Sequence, residues 1–284
     1  MRIRSAYGFG FTAAEAPRPL REQLKTLCPQ APRRLNRFTE LALIGALGCA
    51  AEAAIELAPD CALYLGTGHG CADDSTRLLE AMLMRGQAPM PVDFINVSGS
   101  STGFYLAQVL GLRGPSKTVA AGPVSFEAAL DLAWGDLTDA PGLALVGGVD
   151  DAAYPLAVHR KRLGLAEVEP VAEVSGWLLL DSRPGAKGLR LCEPRFFCEL
   201  CELEAVLVNR HEVNVSLAQG LDQVERERLA AKLGPRVVEP ALSGRADTAA
   251  AFEIAVLAGQ GGSLLHANGD GKGGYYLLEI AASL

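Results

Sequence analysis

The chain has 284 residues, 49% hydrophobic and 21% charged, so it can bury one large core or two smaller ones and is not a disordered polypeptide. Its net charge of −7 argues against a nucleic-acid partner, which needs clustered Lys and Arg to neutralise phosphates; the cluster Arg33, Arg34 and Arg37 reads as a solvated helix entry. No apolar run reaches the ~20 residues of a membrane span, and residues 1–10 lack the pattern of a signal peptide, so a reducing cytoplasm is the expected setting.

Residues 2–11 read as a strand running into Gly8 and Gly10. Residues 12–35 contain Pro17, Pro19, Pro29 and Pro32 and should be irregular or partly helical. An Ala- and Leu-rich helical pattern runs from 38 to 57, where Pro59 stops it. Residues 61–66 (CALYLG) form a buried strand that enters the GTGHG loop at 66–70. A helix is expected over 74–85, a turn-rich link over 86–91, and a helix starting within 96–102 and ending near 110. Residues 118–121 are a short strand and 125–134 a helix, with Ser125 as its N-cap. Strands follow at 143–146, ending in Gly147-Gly148, and at 177–180, leading to Asp181. Residues 206–209 read as a strand and 221–233 as a charged helix halted by Gly234-Pro235. A helix over 248–257, a strand over 264–266 and a last strand over 275–280 complete the chain. Alternating strands and helices predict an α/β protein with buried sheets, and no linker is long enough to divide it.

The residues taken one motif at a time define no active site. GTGHG is neither GxGxxG nor a Walker loop, so its glycines are assigned to a tight turn. His69 has no carboxylate or thiol partner close by in sequence, which favours a structural role. There is no GxSxG elbow and no HExxH, and His159, His211 and His266 stand alone. The seven cysteines are odd in number and irregularly spaced, which suits free thiols; Cys198-x-x-Cys201 reads as a buried structural pair, not a zinc site. No cofactor or metal is expected.

The ordered series of short motifs is more specific. Arg37-Phe38-Thr39-Glu40-Leu41-Ala42 is similar to a D/N-R-F-x-x-L-A helix start, and Cys61 to Gly70 to a strand followed by GTGxG. LGLRGPSKTV at 110–119, LVGGV at 145–149, EVSG-WLLLD at 173–181 and NGDGKGGYYLLEI at 268–280 continue the series. In this order they resemble the β-ketoacyl synthases. The resemblance implies a thiolase-like layered fold over 1–284, a single domain of two related α/β halves (about 1–150 and 151–284). The second half is trimmed, with about twenty residues between Pro184 and Val206.

The catalytic positions depart from that pattern. Extending LRGPSKTV without gaps puts Pro123 at the nucleophilic cysteine, and proline has neither a nucleophilic atom nor an N–H for an oxyanion. The first histidine position falls on His211 or Asn214, depending on whether VNRH or the Asp222-x-x-Glu225 helix sets the count. The second falls on Arg245, which cannot shuttle protons. The resemblance therefore implies a non-catalytic subunit, similar to the chain-length factors of type II polyketide or aryl-polyene systems. It would pair with an active ketosynthase, or with itself, through the strand after GPSKTV, and meet acyl carrier protein through the partner. The alternatives are an acyltransferase with a relocated nucleophile, Cys71 or Ser125, and a vestigial homodimer.

Overall fold

The computed structural model describes residues 1–282. The chain opens with β1 (Arg2–Thr12), α1 (Arg21–Leu27), α2 (Arg37–Glu52), β2 (Ala62–Gly66), α3 (Ala72–Leu83), α4 (Pro91–Val97) and α5 (Gly99–Leu110). It continues with β3 (Ser116–Val119), α6 (Ser125–Asp139), β4 (Leu143–Asp150), α7 (Leu156–Arg162) and β5 (Ala172–Asp181). Next come β6 (Leu189–Leu191), β7 (Arg195–Phe197), α8 (Leu200–Val208), β8 (Asn214–Leu217) and α9 (Gln223–Leu233). The last elements are α10 (Ala249–Gln260), β9 (Leu264–Gly269) and β10 (Tyr275–Ala281).

The strands form one hydrogen-bonded path, β3-β2-β4-β5-β1-β6-β10-β9-β8, with β7 on β10. β6 is its narrow joint, meeting β1 at two residue pairs and β10 at two. β2, β4 and β5 are buried along their whole length, which requires cover on both faces and explains the apolar runs ALYL, LALV and WLLL within them. On one face Tyr64, Val146, Leu178 and Leu180 pack on Phe126 and Leu130 of α6 and on Ala251 and Ile254 of α10. On the other, Leu63, Leu65, Leu145 and Leu179 pack under Leu41 and Ile44 of α2 and Leu106 of α5. Leu264, Leu278 and Ile280 of the second sheet region close over α6 and α10 from the far side. The alternate residues Leu265 and Leu277 face Leu203 and Leu207 of α8 and Leu229 of α9. The result is five layers, helix–sheet–helix–sheet–helix, as expected. α10 is apolar nearly all round because it lies in the central layer, and α2 because α1 and α5 pack on it as well as the sheet.

The Gly147-Gly148 pair is a packing requirement. A Cβ on Gly147 would lie 2.2 Å from the Trp177 ring, and one on Gly148 would lie 2.5 Å from Ala251 Cβ. Trp177 is fully buried there, and its indole N–H donates to Ser175 Oγ at 2.9 Å.

Several local expectations are corrected. Residues 206–209 are not a strand but the end of α8; the β-branched valines suggest a strand, yet Leu203 and Leu207, one helical turn apart, are the residues buried against the sheet. Cys198 and Cys201 flank the start of that helix and are both exposed, not buried. α4, α7 and the short strands β6, β7 and β8 were not foreseen. The strand expected at 118–121 is β3 at 116–119. Arg37 is no solvated charge: its guanidinium forks onto Glu173 at 2.6–3.0 Å and ties the start of α2 to β5.

Candidate functional site

The site region begins at the turn between β3 and α6. Gly122, at φ +60°, and Pro123 form a single 3₁₀ turn with Val124 ahead of the buried helix. Ser125 is the first residue of α6 and not its N-cap, because Val124 takes that place. Its hydroxyl accepts from Ala121 N–H at 2.8 Å and lies 2.8 Å from Thr67 O and 2.7 Å from Gly122 O, so it fastens the turn to the GTG loop. Pro123 itself offers only a carbonyl, which accepts from Asn268 Nδ2 at 2.7 Å.

Behind the turn runs a buried polar chain. Asn268 Nδ2 also donates to Glu127 Oε1 at 2.7 Å, and His266 Nε2 lies 3.0 Å from the same oxygen. His266 Nδ1 lies 3.1 Å from Ser216 Oγ, which donates to Glu253 Oε2 at 3.3 Å. Serine, histidine and glutamate thus stand at the spacings of a hydrolytic triad. All three are at most 1% exposed, so no substrate reaches Ser216. The chain stitches α6 and α10 to β8 and β9.

The structure places the remaining expected site residues unevenly. His211 is exposed in the turn between α8 and β8. Asn214 opens β8 opposite Leu264, five residues before the β9 end that carries Gly269. Neither faces Pro123. At the other end of β8, Gly220 does: a Cβ on it would lie 2.8 Å from Pro123 Cβ. The neighbouring Gln219 spans to the Arg245 segment, donating to Gly244 O at 2.8 Å and accepting from Ala246 N–H at 3.2 Å. Gln219-Gly220 is therefore the pair between Pro123 and Arg245. Its signal is the alternation Val213, Val215, Leu217, which marks a strand ending just before it. The Asp222-x-x-Glu225 motif is a capping box, each residue bonding the other's backbone N–H at 2.7–2.9 Å.

The GTGHG loop forms a second cluster. Asp150, at the end of β4, accepts from Thr67 Oγ1 at 2.8 Å, Gly68 N–H at 3.0 Å and Thr248 N–H at 2.9 Å. One carboxylate thereby joins β2, β4 and the start of α10. His69 does have carboxylate partners, contrary to the expectation from sequence. Its Nδ1 lies 3.4 Å from Asp150 and 3.8 Å from Asp247, in ion-pair geometry, and its Nε2 lies 3.0 Å from Asp151 O. Burial alone would lower its pKa; the charges of Asp150 and Asp247 overturn that and raise it to about 9, so His69 is an imidazolium and not a base. Burial raises Asp151 to about 8. Burial and then Arg162 and His69 lower His159 to about 4, consistent with its Nδ1 accepting from Ala153 N–H at 3.1 Å. The loop glycines serve close approach: a Cβ on Gly66 would lie 2.6 Å from Ser125 O, and one on Gly68 2.2 Å from Asp247 Cβ.

No family model matches the sequence, and no curated protein matches it. Solved structures do. A chain of the ishigamide ketosynthase/chain length factor aligns at TM-score 0.72 and 18% identity over 91% of this chain and 84% of that one. A type II polyketide synthase acyl-carrier protein in complex with its ketosynthase gives 0.72 and 12% over 99% of each chain. A β-ketoacyl synthase from Burkholderia phymatum gives 0.72 and 13% over 90% and 85%. The chain has the β-ketoacyl synthase fold.

Within this ketosynthase-like fold the alternative nucleophiles are locked. Cys71 is buried, accepts from Asn36 Nδ2 at 3.3 Å, and is raised to about 12 by burial, so it stays a thiol. No hydrogen bond joins it to His69 among the described residues. Ser125 has no base beside it and gives its proton to a carbonyl. All seven cysteines are free, and no group of three or more His, Cys, Asp or Glu able to hold a metal forms among the described residues. No helix of the described residues is long and apolar enough to cross a membrane.

Proposed function

We propose that this chain is a non-catalytic ketosynthase-like subunit, resembling a chain-length factor, that pairs with an active β-ketoacyl synthase in fatty-acid, polyketide or aryl-polyene type biosynthesis. The whole of 1–284 acts as one ketosynthase-like domain, and acyl carrier protein is met through the partner. The observation that carries this reading is the turn at Pro123. It keeps the approach to a buried helix start, where a nucleophile would gain from the helix dipole, and fills it with a residue that has nothing to acylate. Gln219, whose neighbour Gly220 abuts Pro123, and Arg245, whose two flanking residues Gln219 bonds, are not proton shuttles, and Cys71 and Ser125 are tied into the scaffold.

Pairing is supported by an unfinished edge. β3 is the end strand of the sheet and bonds β2 on one side, with no strand on the other among the described residues. Next in the chain to it, α3, α4, α5 and their links expose Leu79, Leu83, Met84, Met90, Phe94, Ile95 and Phe104, several of them more than half exposed. An open strand and exposed large apolar side chains each need a cover in water. An obligate interface of the usual kind, above ~2,000 Å², would supply it.

The test is intact mass and product analysis after mixing the isolated protein with acyl and malonyl carrier-protein substrates. No covalent adduct and no condensation product are expected. Condensation that persists after replacement of all seven cysteines and Ser125 would show that the mechanism lies elsewhere.

A further inference from the structure

Beside Gln219 lies an open cleft of about 380 Å³, lined by Arg226, Arg245, Glu169, Leu217, Leu242 and Pro170 among others. Its chemistry is unbalanced. Arg226, on the second turn of α9, bonds Leu221 O through Nη2 at 3.3 Å, while its buried Nε has no hydrogen-bond partner. Arg245 is half-buried, and its neighbours Arg226, Asp247 and Glu169 act on it through space, with no side-chain hydrogen bond to its guanidinium among the described residues. Burial and then the Arg226 charge lower its pKa, so two guanidinium groups face one space and oppose each other. Of the two nearby carboxylates, Asp247 is directed at His69 and Glu169 accepts from Ala166 N–H at 2.8 Å. The wall is held firmly: Gln219 grips both sides of Arg245, whose backbone also bonds Pro170 O and Ala172 N–H at 2.9 Å.

We propose that this cleft binds a carboxylate carried on a short apolar chain. A carboxylate is acceptor-only and fits the planar fork of a guanidinium. It would pair with the Arg245 guanidinium and offset the Arg226 charge beside it, removing their mutual repulsion. Leu217, Leu242 and Pro170 form the apolar part of the same cleft, which favours an alkyl tail over inorganic phosphate. The inference rests on the cleft's own groups and does not depend on the identity of any partner subunit, so its failure would leave the pairing proposal standing.

The experiment is calorimetric titration of the full-length protein, in its complex if that is the soluble form, with hexanoate, hexanamide and inorganic phosphate as probes. Hexanoate should bind saturably and more weakly as salt is raised. Arg245→Gln and Arg226→Gln should each weaken it by roughly tenfold, the scale expected for one charge-assisted fork. Arg245→Gln should fold normally, since the structural bonds of residue 245 are made by its backbone; an unchanged melting curve checks this, and Arg226→Gln is the second route if it does not fold. Hexanamide binding as tightly as hexanoate, phosphate binding with the same arginine dependence while hexanoate does not bind, or no hexanoate binding at tens of millimolar would each overturn the proposal.

Discussion

The seam between the two sheet regions and the edge beyond β3 are opposite kinds of surface. In the seam, Asp150 and Glu127 each collect partners from segments far apart in the chain, and Gly148 and Gly220 leave no room for even one extra carbon. At the edge, β3 has a strand on one side only among the described residues, and the helices that precede it in the chain expose leucines, methionines and phenylalanines. On the proposed reading, a seam kept around a turn without a nucleophile serves as a scaffold, and the open edge is where a partner would sit. The two regions should therefore respond to different perturbations: the seam to folding stress, the edge to the presence of a partner.

The largest expected effect is in the seam. Asp150→Ala strands Thr67 Oγ1, Gly68 N–H and Thr248 N–H and leaves the His69 charge buried with less compensation. A loss on the order of 4 kcal/mol is predicted, read from urea unfolding midpoints. Glu127→Ala, which frees His266 Nε2 and one bond of Asn268, should cost about 3 kcal/mol by the same measurement. If either variant melts within 0.5 kcal/mol of the parent, that carboxylate does not hold the seam.

The same seam should be sensitive to alkali. The raised pKa of His69, about 9, gives stability that is complete below its unfolded value near 6.5 and lost as pH rises through 9. Asp151, raised to about 8, acts in the same direction, since ionising it in place is unfavourable. Unfolding free energy should therefore fall between pH 6.5 and 9.5, by on the order of 3–5 kcal/mol. His69→Gln should flatten the profile; an unchanged slope would place the sensitivity in other groups.

The edge should behave differently. Leu83→Asp with Met84→Asp replaces two of the most exposed apolar side chains, so stability should change by less than about 1 kcal/mol while association with a partner is lost. Val119→Asp, on β3 and packed partly against the core, should reduce both association and solubility. Smallest of all is the effect of Pro123→Cys: no condensing activity should appear, because Arg245 still occupies the second histidine position that the resemblance implies and cannot shuttle protons.

Sequence carried much of this, for identifiable reasons. The LGLRGPSKTV segment sets the β3-to-α6 connection by local spacing, and it located Pro123. LVGGV and WLLLD were legible because strands buried on both faces carry unbroken apolar runs. What was hidden depends on contacts between distant residues. His69 and Asp150 are 81 positions apart, and nothing near GTGHG announces a carboxylate partner. Gln219 belongs to no motif: VNRH and Asp222-x-x-Glu225 on either side point to His211 or Asn214, and only the strand ending at Leu217 delivers Gln219 to the Arg245 segment. α8 was misread because Val206 and Val208 have the local preference of a strand, while burial of Leu203 and Leu207 decides for a helix.

The central claim is that the seam is complete and the edge is not. Light scattering of the protein alone and after co-expression with an intact candidate ketosynthase tests it most directly. A one-to-one complex is predicted, with aggregation or self-association of the chain when no partner is supplied, and Leu83→Asp with Met84→Asp should abolish the complex. A soluble, lasting monomer that associates with no ketosynthase would contradict the account.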